Sequence, residues 1–427
     1  MIIFRFARKI CERKMDDEKA SCAHDDKKDA SLSLLDLPVE IFLHICSFLE
    51  ASTLVHSLSL VCKQFNLILK DDSLWKARIN HIWPDASYPF LSPARPDELF
   101  WKLSCVAIEK QTALWKRRDS MEKLVIGNPQ CSTMDALLLM HGGKTCIAGG
   151  RNRTLVYWRL FEEVYLPPQE LENPACVDNA HGGWIWDLTA IRNTIYSCSW
   201  DQTVRSWALV DCGLVKQRTY ELYARDGQGA LLCVSSCPEL SIFAVGSYGK
   251  TVFVFDARTA KKICQYQSHT GAVIKLAMNS EYILSASEDK TVSVWDQRAG
   301  RTMKSITISG EAFPRCINMQ RDWVCIGDNT AKLHVLDPKN NFELVKSYAT
   351  EHTKGITGVH LAEGCLITSS TDGTVRISSP TDPPRPIATF NSGFGEIARM
   401  DYLNGTLAIS GIDIAVWRPK LTCSTKR

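Results

Sequence analysis

The chain has 427 residues, 45% of them hydrophobic and 23% charged, which is room for two folded modules with cores of their own. Fifty basic and 47 acidic residues leave a net charge of +3, so neither a nucleic-acid footprint nor an acidic tail dominates. Seventeen cysteines are scattered without a Cys-x-x-Cys pair, which points to buried, reduced thiols in the cytosol or nucleus rather than a disulfide framework. Cys233 and Cys237 lie four apart in a predicted strand with no histidine nearby, so no zinc site is expected there.

Residues 1–30 form a charged, cysteine-bearing segment expected to be a disordered tail. Met1 to Lys14 is basic, with Ile2, Ile3, Phe4 and Phe6 interleaved, an apolar run too short for a secretory signal. Asp16, Asp17 and Glu18 follow, and Met15 is a second candidate start. No stretch anywhere is long and apolar enough to span a membrane.

Residues 31–80 read as a small all-helical module. Pro38 suits the first turn of a helix with Asp36 upstream as its cap. Ile41, Ile45 and Leu49 then recur at four-residue spacing on one face. Ser52 or Thr53 can start a second helix, and Val61 to Leu69 can form a third. So short a module cannot bury all of its apolar surface by itself, and the excess implies a partner. Residues 81–119 read as a connector: a Pro-rich loop from Trp83 and Pro84 through Pro96, then a helix from Glu98 to Trp115 capped by Asp97. Leu99, Leu103, Val106 and Leu114 are among its apolar positions.

Over residues 120–420 one phrase recurs. Its clearest copy, Ile283 to Asp296, reads Ile-Leu-Ser-Ala-Ser-Glu-Asp-Lys-Thr-Val-Ser-Val-Trp-Asp. A second copy runs from Thr194 to Trp207. Aligned on the last large residue, the others end at Trp158, Phe255, Leu336, Ser378 and Trp417, at intervals of 49, 48, 40, 41, 42 and 39 residues. Each phrase reads as strand, tight turn, strand. Such a period, with a Trp-Asp ending, is the signature of a β-propeller, here of seven blades. The chain runs only ten residues past Trp417, so the last blade is expected to borrow its outer strand from Glu122–Ile126. Residues 421–427 are left as a tail.

This stretch resembles the WD-repeat family. His269, Ser285, Asp289 and Trp295 match the family's structural tetrad in one blade, and His181, Ser197, Asp201 and Trp207 match it in another. The interval from His to Asp is 20 residues in both, and again from His352 to Asp372, where Thr368 is kept and Ser378 replaces the Trp. Elsewhere the pattern decays: Asn152, Gly249 and Thr330 stand at the Asp position. A His beside an Asp and a Ser also suggests a hydrolase. The same trio recurs in separate blades at one spacing, however, and no nucleophile elbow surrounds these serines, so the trio is read as structural. No catalytic residues, metal or cofactor are expected, and the protein is read as a non-enzyme.

The helical module resembles the F-box. The matching residues are Leu37-Pro38, Glu40-Ile41, Val61-Cys62-Lys63 with Phe65, and the closing Leu74-Trp75. The resemblance implies docking to the Skp-type adaptor of a cullin–RING ubiquitin ligase. On that reading Leu37, Pro38, Ile41, Ile45, Leu54, Leu58, Val61 and Cys62 contact the adaptor or build its interface. Related proteins use a helical linker after this module as a rigid spacer. The expected fold is therefore α+β and multidomain: an all-α F-box with a helical linker, then an all-β seven-bladed propeller.

Partners of WD-repeat propellers usually dock on the face carrying the turns between strands b and c and the loops leading into strand a. The register places Arg151, Trp200, Tyr248 and Glu288 at such turns. Trp184 and Trp186 flank Ile185, and Phe313 and Arg315 flank Pro314. Aromatics and Arg are the side chains most often found at interface hot spots, although packing between blades competes as a role for the tryptophans. Some family members read phosphorylated motifs through several arginines on this face. Here Arg151 and Arg315 fall at such positions, while Lys275 and Arg399 point elsewhere, so a mainly aromatic site of mixed polarity is expected.

The resemblances together imply a receptor that recruits a protein substrate to a Skp–cullin–F-box ligase, with no small-molecule or nucleic-acid ligand. An alternative is a WD-repeat scaffold, or a receptor for the propeller-type adaptor of cullin-four ligases. The latter would act through Trp295-Asp296-Gln297-Arg298 and Phe255-Asp256-Ala257-Arg258, which resemble that group's Trp-Asp-x-Arg box.

Overall fold

A computed structural model describes residues 34–84, 100–117, 121–127, 132–160, 175–210, 213–222, 229–308, 310–320, 323–362 and 364–420. The expectations for residues 1–30, including Met15, for Asp97 and Leu99, and for 421–427 lie outside the described residues. The chain divides into two compact units, Met1–Ala113 and Leu114–Arg427.

In the first unit, helix α1 (Val39–Ser47) follows a single 3-10 turn, Leu34–Asp36. Pro38 rather than Asp36 occupies the N-cap position, and its carbonyl accepts from Phe42 N–H at 3.0 Å. Asp36 closes the preceding turn instead, so it is too far upstream to cap. Helix α2 (Ala51–His56) starts ahead of Ser52. Helix α3 (Lys63–Ile68) is capped by the Cys62 sulfur, which accepts from Phe65 N–H at 3.4 Å. The sequence reading missed helix α4 (Asp72–Ile82), capped by Asp71 through Ser73 N–H at 2.9 Å. Helix α5 spans Phe100–Lys116.

The core of this unit gathers Phe42, Cys46, Leu54, Leu58, Phe65, Leu69, Trp75, Ile79, Cys105 and Ile108. Phe42 stacks on Phe65 with ring centroids 4.6 Å apart. The buried stripe of α1 is therefore Phe42 and Cys46, one position round from Ile41 and Ile45. Four-residue spacing fits either of two adjoining stripes, and the one carrying the aromatic ring buries more area. Leu103 of α5 faces solvent for the same reason, Cys105 and Ile108 taking the core side.

In the second unit, among the described residues, twenty-eight strands, from β1 (Met121–Ile126) to β28 (Ile414–Pro419), form seven antiparallel sheets of four. Blade one is β2–β5 (136–177), blade two β6–β9 (185–221), blade three β10–β13 (231–267) and blade four β14–β17 (273–307). Blade five is β18–β21 (314–349) and blade six β22–β25 (356–391). Blade seven combines β26–β28 (399–419) with β1 as its outermost strand. Alternating β-branched and apolar residues bury both faces of the middle strands between neighbouring blades. One such seam stacks Tyr196, Phe243 and Phe255, with Tyr220 edge-on.

The ring closes where β1 pairs with β28 in continuous register, Glu122 opposite Arg418 through Ile126 opposite Ile414. Arg418 and Glu122 form an ion pair at 3.0 Å. Lys123 Nζ donates to the carbonyls of Asn391 and Ser392, at 3.3 and 2.9 Å, and stands over the Trp417 ring. Leu124 and Ile126 are buried against Ala408, Ile414 and Val416.

Removing 121–126 leaves β28 as an unpaired edge and uncovers this apolar surface. The expected outcome is loss of cooperative melting and concentration-dependent aggregation, read by calorimetry and light scattering. Leu124→Ala alone should cost about 2–5 kcal/mol of unfolding free energy.

Candidate functional site

One backbone bond recurs around the ring. The N–H of a residue in the turn between the second and third strands donates to the carbonyl of a residue leading into the innermost strand. The pairs are Arg151–Thr133, Trp200–Trp184, Tyr248–Ala230, Glu288–Ala272, Asn329–Phe313 and Thr371–Gly355, at 2.8 to 3.2 Å. These bonds bring the two sets of predicted loop residues onto one face. Just inside, five innermost strands carry a β-bulge, at Trp186, Leu232, Ile274, Arg315 and Thr357. Bulges re-aim side chains, and two of the candidate residues, Trp186 and Arg315, occupy them.

Arg151, Trp184, Trp186 and Trp200 come together at blades one and two. The indoles of Trp184 and Trp200 lie 4.6 Å apart, those of Trp186 and Trp200 5.6 Å, and those of Trp184 and Trp186 6.4 Å with planes within 10°. Arg151 caps the stack, its guanidinium 5.2 Å from the Trp184 ring and 5.8 Å from that of Trp186. The same guanidinium grips Asp135 through Nε at 2.8 Å and Nη2 at 3.1 Å. The close approach of loop and turn needs Gly183, where a Cβ would fall 2.7 Å from Asp201 N. The tryptophans divide: Trp186 is half-buried against the Tyr196–Phe243 seam, whereas Trp184 and Trp200 are exposed. Tyr248 and Glu288 are exposed at the equivalent places in blades three and four, and Phe313 and Arg315 are half-buried in blade five. Asp135 was missed because nothing in its local pattern pairs it with a residue 16 positions on.

Around this face the buried polar networks hold the turns. His181 Nδ1 meets Asp201 Oδ2 at 3.0 Å and its Nε2 meets Ser197 Oγ at 2.7 Å, while Trp207 Nε1 donates to the same Oγ at 2.8 Å. In blade four His269 meets Asp289 at 3.1 Å and Ser285 Oγ at 2.8 Å. Its fourth member departs from expectation: Trp295 lies flat on Tyr266, centroids 3.8 Å apart, where stacking buries both rings. Blade six repeats the pattern with His352, Asp372 and Thr368. Blade five has shifted it. Asp328, buried two residues before Thr330, takes the Thr330 hydroxyl and the N–H groups of Thr330 and Lys332, and meets His334 at 3.1 Å.

Lys275 and Arg399 point away from the face, into the ring. Both end on Asp187, a fully buried carboxylate of blade two, with Lys275 Nζ at 2.9 Å. Asp187 also accepts from the N–H groups of Leu188 and Val234. Side chains from blades two, four and seven and a backbone group from blade three thus meet at one carboxylate. A cavity of about 180 Å³ beside it is lined by Lys275, Arg399, Asn318, His360 and Asp401, among others. On the opposite turns Asp256 and Asp296 accept from the N–H groups of Arg258 and Ala299, both at 2.8 Å. Arg258, 3.7 Å from Asp256, supports its own turn.

On the helical unit the structure sorts the candidate docking residues by burial. Leu54 and Leu58 are core residues, packed with Phe42 and Phe65 of α1 and α3. Ile45, Val61 and Cys62 are half-buried, Leu37 likewise, and Pro38 and Ile41 are exposed. The most exposed apolar side chains there went unremarked: Phe48, Leu60 and Leu67 are 78, 78 and 73% exposed, with Val39 nearby in sequence also in solvent. Their signal was present as apolar residues out of phase with the buried stripe. Among the described residues no helix is long and apolar enough to cross a membrane, and no cluster of metal-binding type occurs.

A family model described as F-box-like matches residues 34–80. A model described as WD domain, G-beta repeat matches 173–208, 260–296 and 342–377. The chain is 31% identical over 396 residues to F-box/WD repeat-containing protein 9 of Homo sapiens, covering 90% of this chain and 82% of that one. It is 26% identical over 400 residues to F-box/WD repeat-containing protein mec-15 of Caenorhabditis elegans, covering 90% and 95%. A shorter match of 38% over 124 residues links it to ribosome biogenesis protein YTM1 of Ajellomyces capsulatus, covering 28% and 24%.

Two outcomes test these networks. Asp187→Ala removes the carboxylate that pairs the part-buried Lys275 and Arg399 and should lower propeller stability by about 2–4 kcal/mol in chemical denaturation. The second concerns pH. Burial holds His181, His269 and His352 below their ordinary value of 6.5, so the unfolded chain takes up protons first as pH falls through 6.5 and stability declines. Burial pushes the Asp289 and Asp372 carboxyls up, but threonine and backbone donors outweigh it and bring both down to about 2 from 3.8. Their contribution is present above 3.8 and vanishes toward 2. Unfolding free energy should thus be flat between about pH 7 and 8 and fall in two stages below it, with the first stage shallower in His269→Gln.

Proposed function

The chain belongs to the F-box/WD repeat-containing proteins, and from that premise we propose that it is the substrate-recognition subunit of a Skp–cullin–F-box ubiquitin ligase. The observation that carries this reading is the apolar surplus of the helical unit. Its core is complete, yet Val39, Ile41, Phe48, Leu60 and Leu67 remain in solvent. Apolar surface of that kind on a small module marks a protein-binding site. A Skp-type adaptor covers it by burial of these residues with Leu37 and Pro38.

The propeller then holds the substrate, on the face of Trp184 and Trp200. Arg151 is already neutralised by Asp135 and engaged by two indoles, so the cluster offers no free guanidinium to a phosphate. Flat indole faces suit an aromatic, proline or aliphatic side chain of an unmodified partner. The receptor carries out no chemistry. It raises the effective concentration of a substrate lysine near the ubiquitin carrier, which supplies the transfer. Its buried free thiols, Cys146, Cys198 and Cys233 among them, suit the reducing cytosol or nucleus.

Quantitative pull-down from the full chain separates the two surfaces. Leu37→Ala with Pro38→Ala should weaken adaptor and cullin capture at least tenfold and leave substrate capture unchanged. Trp184→Ala with Trp200→Ala should do the reverse. Undiminished adaptor binding in the first variant would refute the docking role of Leu37 and Pro38, and a parent chain that captures neither adaptor nor cullin would refute the ligase reading.

A further inference from the structure

The corner between α1 and α2 is three residues long; at the end of α1 the carbonyls of His44, Ile45 and Cys46 accept from Ser47 Oγ, Phe48 N–H and Leu49 N–H, while Glu50 gives α2 no side-chain cap. The Leu49 carbonyl and the Ala51 N–H at the start of α2 find their partners outside the corner, and Cys46 O takes a second donor there. Two residues from later helices supply them. Arg78 of α4 donates from Nη1 to Cys46 O at 3.1 Å and from Nη2 to Leu49 O. Glu109 of α5 accepts from Ala51 N–H on Oε2 at 2.7 Å, and its Oε1 takes Arg78 Nε. The pair is largely withdrawn from water, with 17% and 21% of the two side chains exposed.

Phe48 lies between these pinned groups. It is the C-cap of α1, its ring sits edge-on to His44 at 5.1 Å, and it is among the most exposed apolar side chains of the protein. Backbone bonds at Cys46, Leu49 and Ala51 therefore hold the chain on both sides of a ring left open to solvent. An anchor held this way gives up little freedom when a partner covers it.

We propose that Arg78 and Glu109 are positioning residues for adaptor docking, setting the α1–α2 corner and with it Phe48, so that α5 belongs to the docking module. This rests on the adaptor-docking reading of the helical unit. Neither residue touches the adaptor; each acts through the corner. The family match at 34–80 stops short of Glu109, so half of the clamp lies beyond the residues that identify the module.

A double-mutant cycle on the full chain tests it, with adaptor affinity measured by calorimetry for the parent, Glu109→Ala, Phe48→Ala and the double variant. Glu109→Ala should weaken binding about tenfold, and the double variant should bind no worse than Phe48→Ala, since a misplaced ring has nothing left to lose. Glu109→Gln, which keeps an acceptor for Ala51 N–H, should show a smaller loss with the same coupling. Circular dichroism checks that the helices persist; if Glu109→Ala unfolds them, the Gln variant carries the test. Parent-like affinity in the Gln variant, or losses that simply add to that of Phe48→Ala, overturns the positioning role while adaptor docking stands. A parent chain that fails to bind the adaptor removes the docking reading and this proposal together.

Discussion

A ring of seven sheets is complete only while its ends are joined, and here they are joined by the pairing of β1 with β28. Those two strands lie almost three hundred residues apart, with Glu122 bonded to Arg418 and Lys123 reaching the carbonyls of blade six. The strength of the arrangement comes from its cooperativity. Each blade packs against two neighbours, so loosening one seam exposes apolar faces on both sides of it. The face bearing the indole cluster is a product of the same closure, since it is assembled from turns of separate blades.

Within that ring, charge is handled by enclosure. Asp187 gathers a lysine and an arginine from two other blades, and the tetrads wrap each carboxylate in hydroxyl, imidazole and backbone donors. A buried charge without partners would be costly, so these groups specify where neighbouring blades sit. The same logic removes Arg151 from the set of free cations on the propeller face. A residue that the sequence offers as a reader of anions is, in the fold, a lid on an aromatic stack.

The helical unit shows the complementary device. Its interior is filled by Phe42, Phe65, Trp75 and Ile79, which leaves Phe48, Leu60 and Leu67 with no place inside. Polar clamps from α4 and α5 keep the corner beside Phe48 in shape without covering it. Rigid backbone under exposed apolar side chains is how a small module presents a surface for another protein to bury.

The propeller was legible because its signals are local and repeated: two-residue alternation, a turn closed by Asp or its substitutes, and a strand ending that recurs every 39 to 49 residues. The tetrad at His181, most of that at His269 and the closing strand were implied by the resemblance to WD repeats, Trp295 alone stacking on Tyr266 instead. Helix stripes were less legible, since Ile41 and Phe42 fit the same spacing and only packing against Phe65 chose between them. What tertiary structure alone decided are the pairings between residues distant in the chain: Arg151 with Asp135, Asp187 with Arg399, Glu109 with Arg78 and Ala51, Trp295 with Tyr266. None of these leaves a periodic trace, because each is made by geometry that exists only after the blades and helices have packed. The sequence by itself determined the modules and their order; which exposed side chains stand free to bind, and which charges are already spent, was settled by packing.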